Sequence, residues 1–371
     1  MTLSRRKMLA LVGGGTILAA AGSAGAFITT RTPHKALEPW SLAGSYGEIR
    51  RDALSYALLA PNPHNRQPWV VDLEGEDTVV LYRDPEKDLP VTDPFGRQLT
   101  IGMGCFIDLM EMAAAEMGYG VETLLFPEGE GPNDPVARCV FTRDAGQKNP
   151  LFAHVMERRS HKDAFDATPV SAETVEPLAE FATIVTEAGA VKRLGEIASE
   201  AWLIEMATKP AHMESIDLLR IGKAEINANP DGIDLGGPMM ESLALVGLLS
   251  REIAADPNSA GSRGVIEATN NAILAAPAFV VQTTPGNSRL DQIGAGRDWL
   301  RLNLATTAMG LALRPVSQAL QEYEEVAGPL ADVHALYAPD GGTVQMLGLL
   351  GYGAQPARTP RWTLDTKIRN A

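Results

Sequence analysis

Two apolar runs that end in the same way set the strongest limit on how this chain can fold. Met110–Val121 and Leu302–Leu313 each read as a buried helix that stops at Met-Gly and enters a strand. A repeat of that size implies two copies of one α+β unit joined in a single chain, so that a former contact between subunits becomes internal. Chance recurrence of a Met-Gly helix end is the plainer alternative.

The remaining periodicity is consistent with this plan. Helical spacing from Tyr46 to Leu59 stops at Pro61, and two β-branched runs, 70–73 and 78–82, predict a hairpin. Residues 99–118 predict a buried helix followed by a strand at 123–126, with a turn over 127–136. Asn149-Pro150 suits the cap and first position of a helix that ends near Arg158. Further on, 278–282 predicts a strand, 289–310 a long helix and 345–353 a buried strand. The Met-rich, Gly/Pro-punctuated stretch 210–264 reads as an inserted lid or as ordinary core with turns.

Two polar segments carry the chemistry. Ala60-Pro61-Asn62-Pro63-His64-Asn65-Arg66-Gln67-Pro68-Trp69 sets amide side chains beside a proline-stiffened backbone. Arg158-Arg159-Ser160-His161-Lys162 gathers cations around a hydroxyl, a density that suits a phosphate monoester. Cations at a helix C-terminus, complementing its dipole, are the alternative for the second segment.

Together the two segments resemble the nitroreductase-like family of FMN-binding oxidoreductases, in its fused two-copy (Acg-like) branch. In that family an Arg-x-Ser-x-Lys/Arg segment holds the FMN phosphate, and a Pro-x-x-x-Asn-x-Gln-Pro-Trp segment lies along the flavin. In this chain the order of the two is reversed, which the duplication accounts for. The first copy has Arg50-Arg51-Asp52-Ala53 without Ser-x-Lys, and the second has Glu187-Ala188-Gly189-Ala190 without Asn or Trp, so one intact site per chain is expected.

The resemblance implies an α+β, nitroreductase-like fold of two pseudo-repeats, with central mixed sheets flanked by helices. Its halves would be 46–145 and 146–371, the second carrying the possible lid, and the molecule a monomer that acts as a pseudo-dimer. It implies FMN as cofactor, with Arg158, Ser160 and Lys162 on the phosphate, Arg159 an alternative to Arg158, and Arg358 or Arg361 adding charge. Asn62 and Asn65 would bond the ring or ribityl chain, although Pro63 stands where the family more often has Ser. Pro315, Val316 and Ser317 match the place where the family brings backbone amides to the reactive edge of the ring. Gln67, Pro68 and Trp69 would brace the loop. No catalytic acid or base is demanded, because the redox chemistry belongs to the flavin.

The N-terminus, Ser4-Arg5-Arg6-Lys7 followed by an uncharged apolar run to Ile28, has the pattern of a twin-arginine export signal. Cleavage near Ala24-Gly25-Ala26 is expected, leaving 27–45 as a leader, with an uncleaved anchor as the alternative. The twin-arginine machinery then becomes a partner and the periplasm, or another extracytoplasmic space, the destination. Removing Arg5, Arg6 and Lys7 takes the formal charge from −14 to −17, which disfavours nucleic acid. Six histidines and two cysteines show no metal-ligand spacing. Cys105 and Cys139 read as buried thiols, although an oxidising compartment permits a bridge. The function expected is an exported FMN oxidoreductase acting on a small electron-poor substrate. The alternatives are an FMN-sequestering protein without turnover and a structural relic without cofactor.

Overall fold

The computed structural model describes residues 30–370 of the chain; the expected export signal and the start of the leader lie outside them. Helix α1 (Ile49–Ala57) leads through the polar loop into a hairpin of β1 (Trp69–Glu74) and β2 (Thr78–Arg83). Helix α2 (Arg97–Glu116) then leads to β3 (Tyr119–Leu125) and β4 (Ala137–Arg143). The later part of the chain contributes β5 (Thr183–Val185), α3 (Ala188–Ala207), β8 (Ala278–Thr284), α4 (Arg289–Ala308), β9 (Ala312–Pro315) and β10 (Thr343–Gly351). Between α3 and β8 lies a helical insert with a parallel pair, β6 (Leu219–Ile221) and β7 (Ile233–Leu235).

The two large sheets have one plan. Their strand orders are β1-β2-β4-β3 and β5-β8-β10-β9, every neighbour antiparallel, with the long helix between the second and third strands in chain order. The expected mixed pairing is confined to one edge. There Ile368 of the C-terminal tail makes an isolated parallel bridge to Val71, because the tail returns across the molecule to β1.

The Met-Gly endings have a stereochemical cause. Gly118 and Gly310 adopt φ of 83° and 69°, left-handed values that close α2 and α4 and turn the chain into β3 and β9. The same spacing relates Arg97 to Arg289 and Gly104 to Gly296, so α2 and α4 correspond residue for residue. The helices pack on one another with Gly104 against Gly296; a Cβ on either would strike the backbone of the other helix. Across this crossing the Cys105 thiol donates to Gly296 O at 3.0 Å. Arg97 donates to Gln345 O and Leu320 O, both at 2.7 Å, while Arg289 donates to Phe95 O at 2.7 Å. Each long helix thus begins with an arginine bound to the other half.

Trp69, Phe106, Ile107, Leu300 and Leu304 belong to a core that spans both halves, and a second core fills the space between α3 and the second sheet. In the leader Trp40 packs on the body: it is buried and its indole N–H donates to Thr359 O at 2.8 Å. Asn149 accepts from Leu151 N, but the segment it starts is a short 3₁₀ stretch, Pro150–His154, and 158–162 runs on without helix. Both cysteines are free and buried. Among the described residues no helix is long and apolar enough to cross a membrane, and no cluster could hold a metal.

Candidate functional site

A cavity of about 220 Å³ opens beside the helix crossing, lined from both halves. The polar loop supplies Pro61, Asn62, Pro63 and His64, and α2 supplies Gln98, Ile101, Gly102 and Cys105. Ser160, Trp299, Pro315, Ser317, Gln318 and Met346 complete it. Gly102 lets the loop approach α2, since a Cβ there would lie 3.1 Å from Cβ of Asn62.

The loop is held in an unusual conformation. His64, Asn65 and Gln67 all have positive φ, between 47° and 51°, which costs of order 1–3 kcal/mol at each residue. Asn62 Oδ1 accepts from Gln67 N at 2.7 Å, and the Gln67 side chain donates to Pro230 O at 2.7 Å while accepting from Trp362 N at 2.8 Å. Lys367 donates to Gln67 O at 2.8 Å. The insert and the tail therefore grip the loop from outside, and Gln67 braces it. Asp231, in the same insert turn, is buried against Lys87 at 2.6 Å, Arg220 at 3.1 Å and Arg66 at 3.7 Å. Burial also pushes the His64 imidazole below its ordinary value, which favours a neutral ring at the cavity.

Behind the loop, arginines converge on the end of α1. Arg158 Nη2 and Arg361 Nη2 both donate to Leu59 O, at 2.8 and 3.2 Å, and Arg361 Nη2 also reaches Ala60 O at 3.1 Å. Arg361 Nη1 donates to Asn65 Oδ1. Arg159 donates to Arg158 O at 2.6 Å and stacks on Trp40 with its guanidinium 4.5 Å from the ring centroid. Arg158 and Arg361 are each 3% exposed, and neither they nor Arg159 forms an ion pair among the described residues. Arg158 Nη1, Arg159 Nε and Arg361 Nε are buried without an acceptor. Burial, with the like charges beside them, pushes Arg361 down to about 9 and Arg159 to about 10; burial likewise takes Arg158 to about 10. Carbonyls alone leave this cluster short of negative charge, and its chemistry is that of an anion site.

The structure divides the residues expected from sequence. Asn62, Ser160, Pro315 and Ser317 meet in the cavity, and Arg158, Arg159 and Arg361 form the cluster behind it. Lys162 lies apart: it is exposed and paired with Asp234 of the insert at 2.8 Å. Arg358 lies over Trp40 at 5.4 Å. Asn65 spends its amide on Pro230 O and Pro360 O, and its oxygen on Arg361. Val316 is buried in the second core and its N–H donates to Leu347 O at 2.9 Å, so that amide does not serve the cavity.

At the positions matched by the common spacing of α2 and α4, the place corresponding to the cavity is filled. Arg297 stands where Cys105 does, paired with Glu111 and Asp108, and Phe126 stands where Gln318 does. The cleft beside Phe126 holds about 40 Å³.

No family profile matches the chain. A protein of Mycobacterium tuberculosis H37Rv named "Putative NAD(P)H nitroreductase" is 26% identical over 336 residues, spanning 86% of this chain and 91% of the relative. The chain belongs to the nitroreductase-like family. A shorter match, 35% identical over 89 residues, joins 24% of this nitroreductase-like chain to 26% of a second protein of that organism with the same description. Among solved structures, the FMN-dependent nitroreductase of Mycobacterium smegmatis in complex with NADPH is 19% identical, with a TM-score of 0.36 covering 60% of this chain and 98% of that one. A nitroreductase-like protein of Bacillus cereus is 12% identical with a TM-score of 0.34, covering 60% and 96%.

Several cavity residues of this nitroreductase-like chain escaped the sequence reading. Gln98, Ile101 and Cys105 lie in a helix that reads simply as apolar, and Trp299 and Met346 come from elements far away in sequence. A usable signal was the pair Gly102 and Gly104, which two residues apart on a helix open different faces of α2, the first to the polar loop and the second to α4.

Proposed function

We propose that this chain is an FMN-dependent oxidoreductase that holds one flavin between two fused halves and reduces a small electron-poor organic substrate such as a nitroaromatic or a quinone. The observation that carries this reading is the arginine cluster with buried, unpartnered N–H groups next to a cavity lined from both halves. Arg158, Arg361 and Arg159 would hold the phosphate monoester, and Ser160 would link that grip to the cavity. Asn62, Ser317 and Gln318 would orient the ring, with Trp299, Ile101 and Met346 excluding water from it. Bound there, the flavin would supply hydride and electron transfer, and the protein its position and electrostatic setting.

The equal topology of the two sheets and the matched helices α2 and α4 support an internal duplication, with halves at 46–145 and 146–371 and the chain acting as a monomeric pseudo-dimer. The insert contacts at Pro230, Asp231 and Gly232 support its role as a lid that fixes the polar loop. Export through the twin-arginine route rests on the N-terminal pattern, and it separates the protein from cytoplasmic nicotinamide donors.

Anaerobic reoxidation tests the reading. FMN-loaded protein is reduced with dithionite and mixed with a nitroaromatic or a quinone. Reoxidation of bound flavin with repeated turnover is the expected result. Flavin that stays reduced would point to the sequestering alternative, and absence of flavin binding would remove the reading altogether. NADPH, present in the M. smegmatis complex, is compared with dithionite as donor in the same assay.

A further inference from the structure

A buried acid stands directly behind the cavity wall. Glu205, near the end of α3, is 1% exposed, and its Oε2 accepts from Gln321 Nε2 at 3.0 Å. Gln318 and Ser215 face the same carboxyl and favour its ionised form; the other ionisable groups acting across this space are Glu214 and Tyr323, neither of them a cation. Gln318, in the 3₁₀ turn just before Gln321, is also a wall of the cavity, so the segment that packs on the acid also lines the site. Gln321 Oε1 and the Tyr323 hydroxyl are buried there without partners.

The chemistry of a carboxyl against two amides has two settings. An ionised carboxylate only accepts, so it draws the NH₂ ends toward itself and leaves the Gln318 carbonyl oxygen for the cavity. A protonated carboxyl donates, and an amide oxygen can turn toward it, which presents the Gln318 NH₂ to the cavity instead.

We propose that Glu205 is a positioning residue for the cavity, setting through Gln318 whether an amide oxygen or an amide N–H faces the bound ring. The identity of that ring rests on the flavin reading above; the arrangement of acid and amides does not. Burial raises the Glu205 carboxyl to about 7, and the amides and Ser215 only partly offset this, so both settings are populated near neutral pH. An N–H toward the ring favours its reduced, more negative state, and an oxygen favours the oxidised one.

The test uses the full chain, wild type and Glu205→Gln, with side-chain amide resonances followed from pH 5.5 to 8.5 in the absence of flavin. The Gln318 NH₂ signal is expected to shift with a midpoint near 7 in the wild type and to stay flat in the variant. FMN affinity is measured over the same range. The FMN phosphate itself titrates at about 6, so the wild-type profile is read as a ratio to that of Glu205→Gln, and this ratio is expected to change about five-fold, the worth of one hydrogen bond at a buried site. Gln318→Leu keeps the acid, so its carboxyl resonance still titrates while its FMN profile falls to that of Glu205→Gln. A Gln318 amide that ignores pH, or one whose inflection survives Glu205→Gln, overturns the inference. A titrating amide in a protein that takes up no FMN supports the positioning role and overturns the flavin reading instead.

Discussion

Replacing Gly296 with alanine tests the helix crossing on which the cavity depends. A Cβ at 296 would lie 2.8 Å from Gly104 Cα and 3.0 Å from Cys105 N, besides striking the Ile101 carbonyl. Carbon contacts settle at about 3.5–4.0 Å, so α2 and α4 must separate by roughly 1 Å. These obstacles are backbone atoms of a buried helix, which cannot rotate away as a side chain could. Overpacking of this kind costs about 3 kcal/mol, and the helix preference for Ala over Gly returns about 1, leaving a net loss of about 2 kcal/mol. Gly294 is the matched control in the same helix, because a Cβ there meets nothing within 4 Å. Gly294→Ala should therefore gain up to about 1 kcal/mol, giving the two variants opposite signs and a difference of about 3 kcal/mol. Urea unfolding followed by circular dichroism reads both, with a midpoint difference of about 1 M at a slope of about 3 kcal/mol/M. Equal midpoints for the two variants would refute the close-packed crossing.

Three further outcomes follow from buried charge. Burial works against the Asp231 carboxylate, yet hydrogen bonds and charge from Lys87 and Arg220 hold it below the ordinary Asp value. Its contribution is thus present above about pH 3.9 and lost as pH falls through the lower folded value; Asp231→Asn should cost about 3–5 kcal/mol at pH 7 in chemical denaturation. Glu205 has the opposite sign. Its folded value is raised to about 7, so the folded protein holds that proton longer and stability falls as pH rises from about 4.3 to about 7. The slope approaches about 1.4 kcal/mol per pH unit, and unfolding curves of Glu205→Gln should lack it. Burial pushes the Cys139 thiol up to about 12 and raises Cys105 as well, so both should resist a thiol reagent in native protein and react on unfolding.

Local signals made the long helices, the first hairpin and the Met-Gly turns legible, because each follows from apolar periodicity or from one glycine at positive φ. Lys162 was harder: its partner Asp234 lies in the insert, which reads as a lid or as core with turns, and no local pattern says which of its side chains meet the basic segment. Asn65 was legible as a loop residue but not as one whose amide is consumed by Pro230 and Pro360. Arg361 was only one of two candidates in the tail. Its burial against Leu59 and Ala60 depends on the tail returning to β1, a contact nearly three hundred residues away in sequence. Glu205 gave no signal, since an acid on a helix is ordinarily solvated and its burial arises from packing between α3 and the segment at Gln318–Gln321.

Paired titrations with FMN and with riboflavin, which lacks the phosphate, test the central claim most directly. The wild-type chain should bind one FMN, and riboflavin about a hundredfold more weakly or worse, since two charge-assisted hydrogen bonds are worth about 3 kcal/mol or more. Replacing Arg158 and Arg361 together with methionine should bring the two ligands to nearly equal, weak affinity. Equal binding of both flavins by the wild type, or binding of neither, would contradict the assignment of the arginine cluster as a phosphate grip.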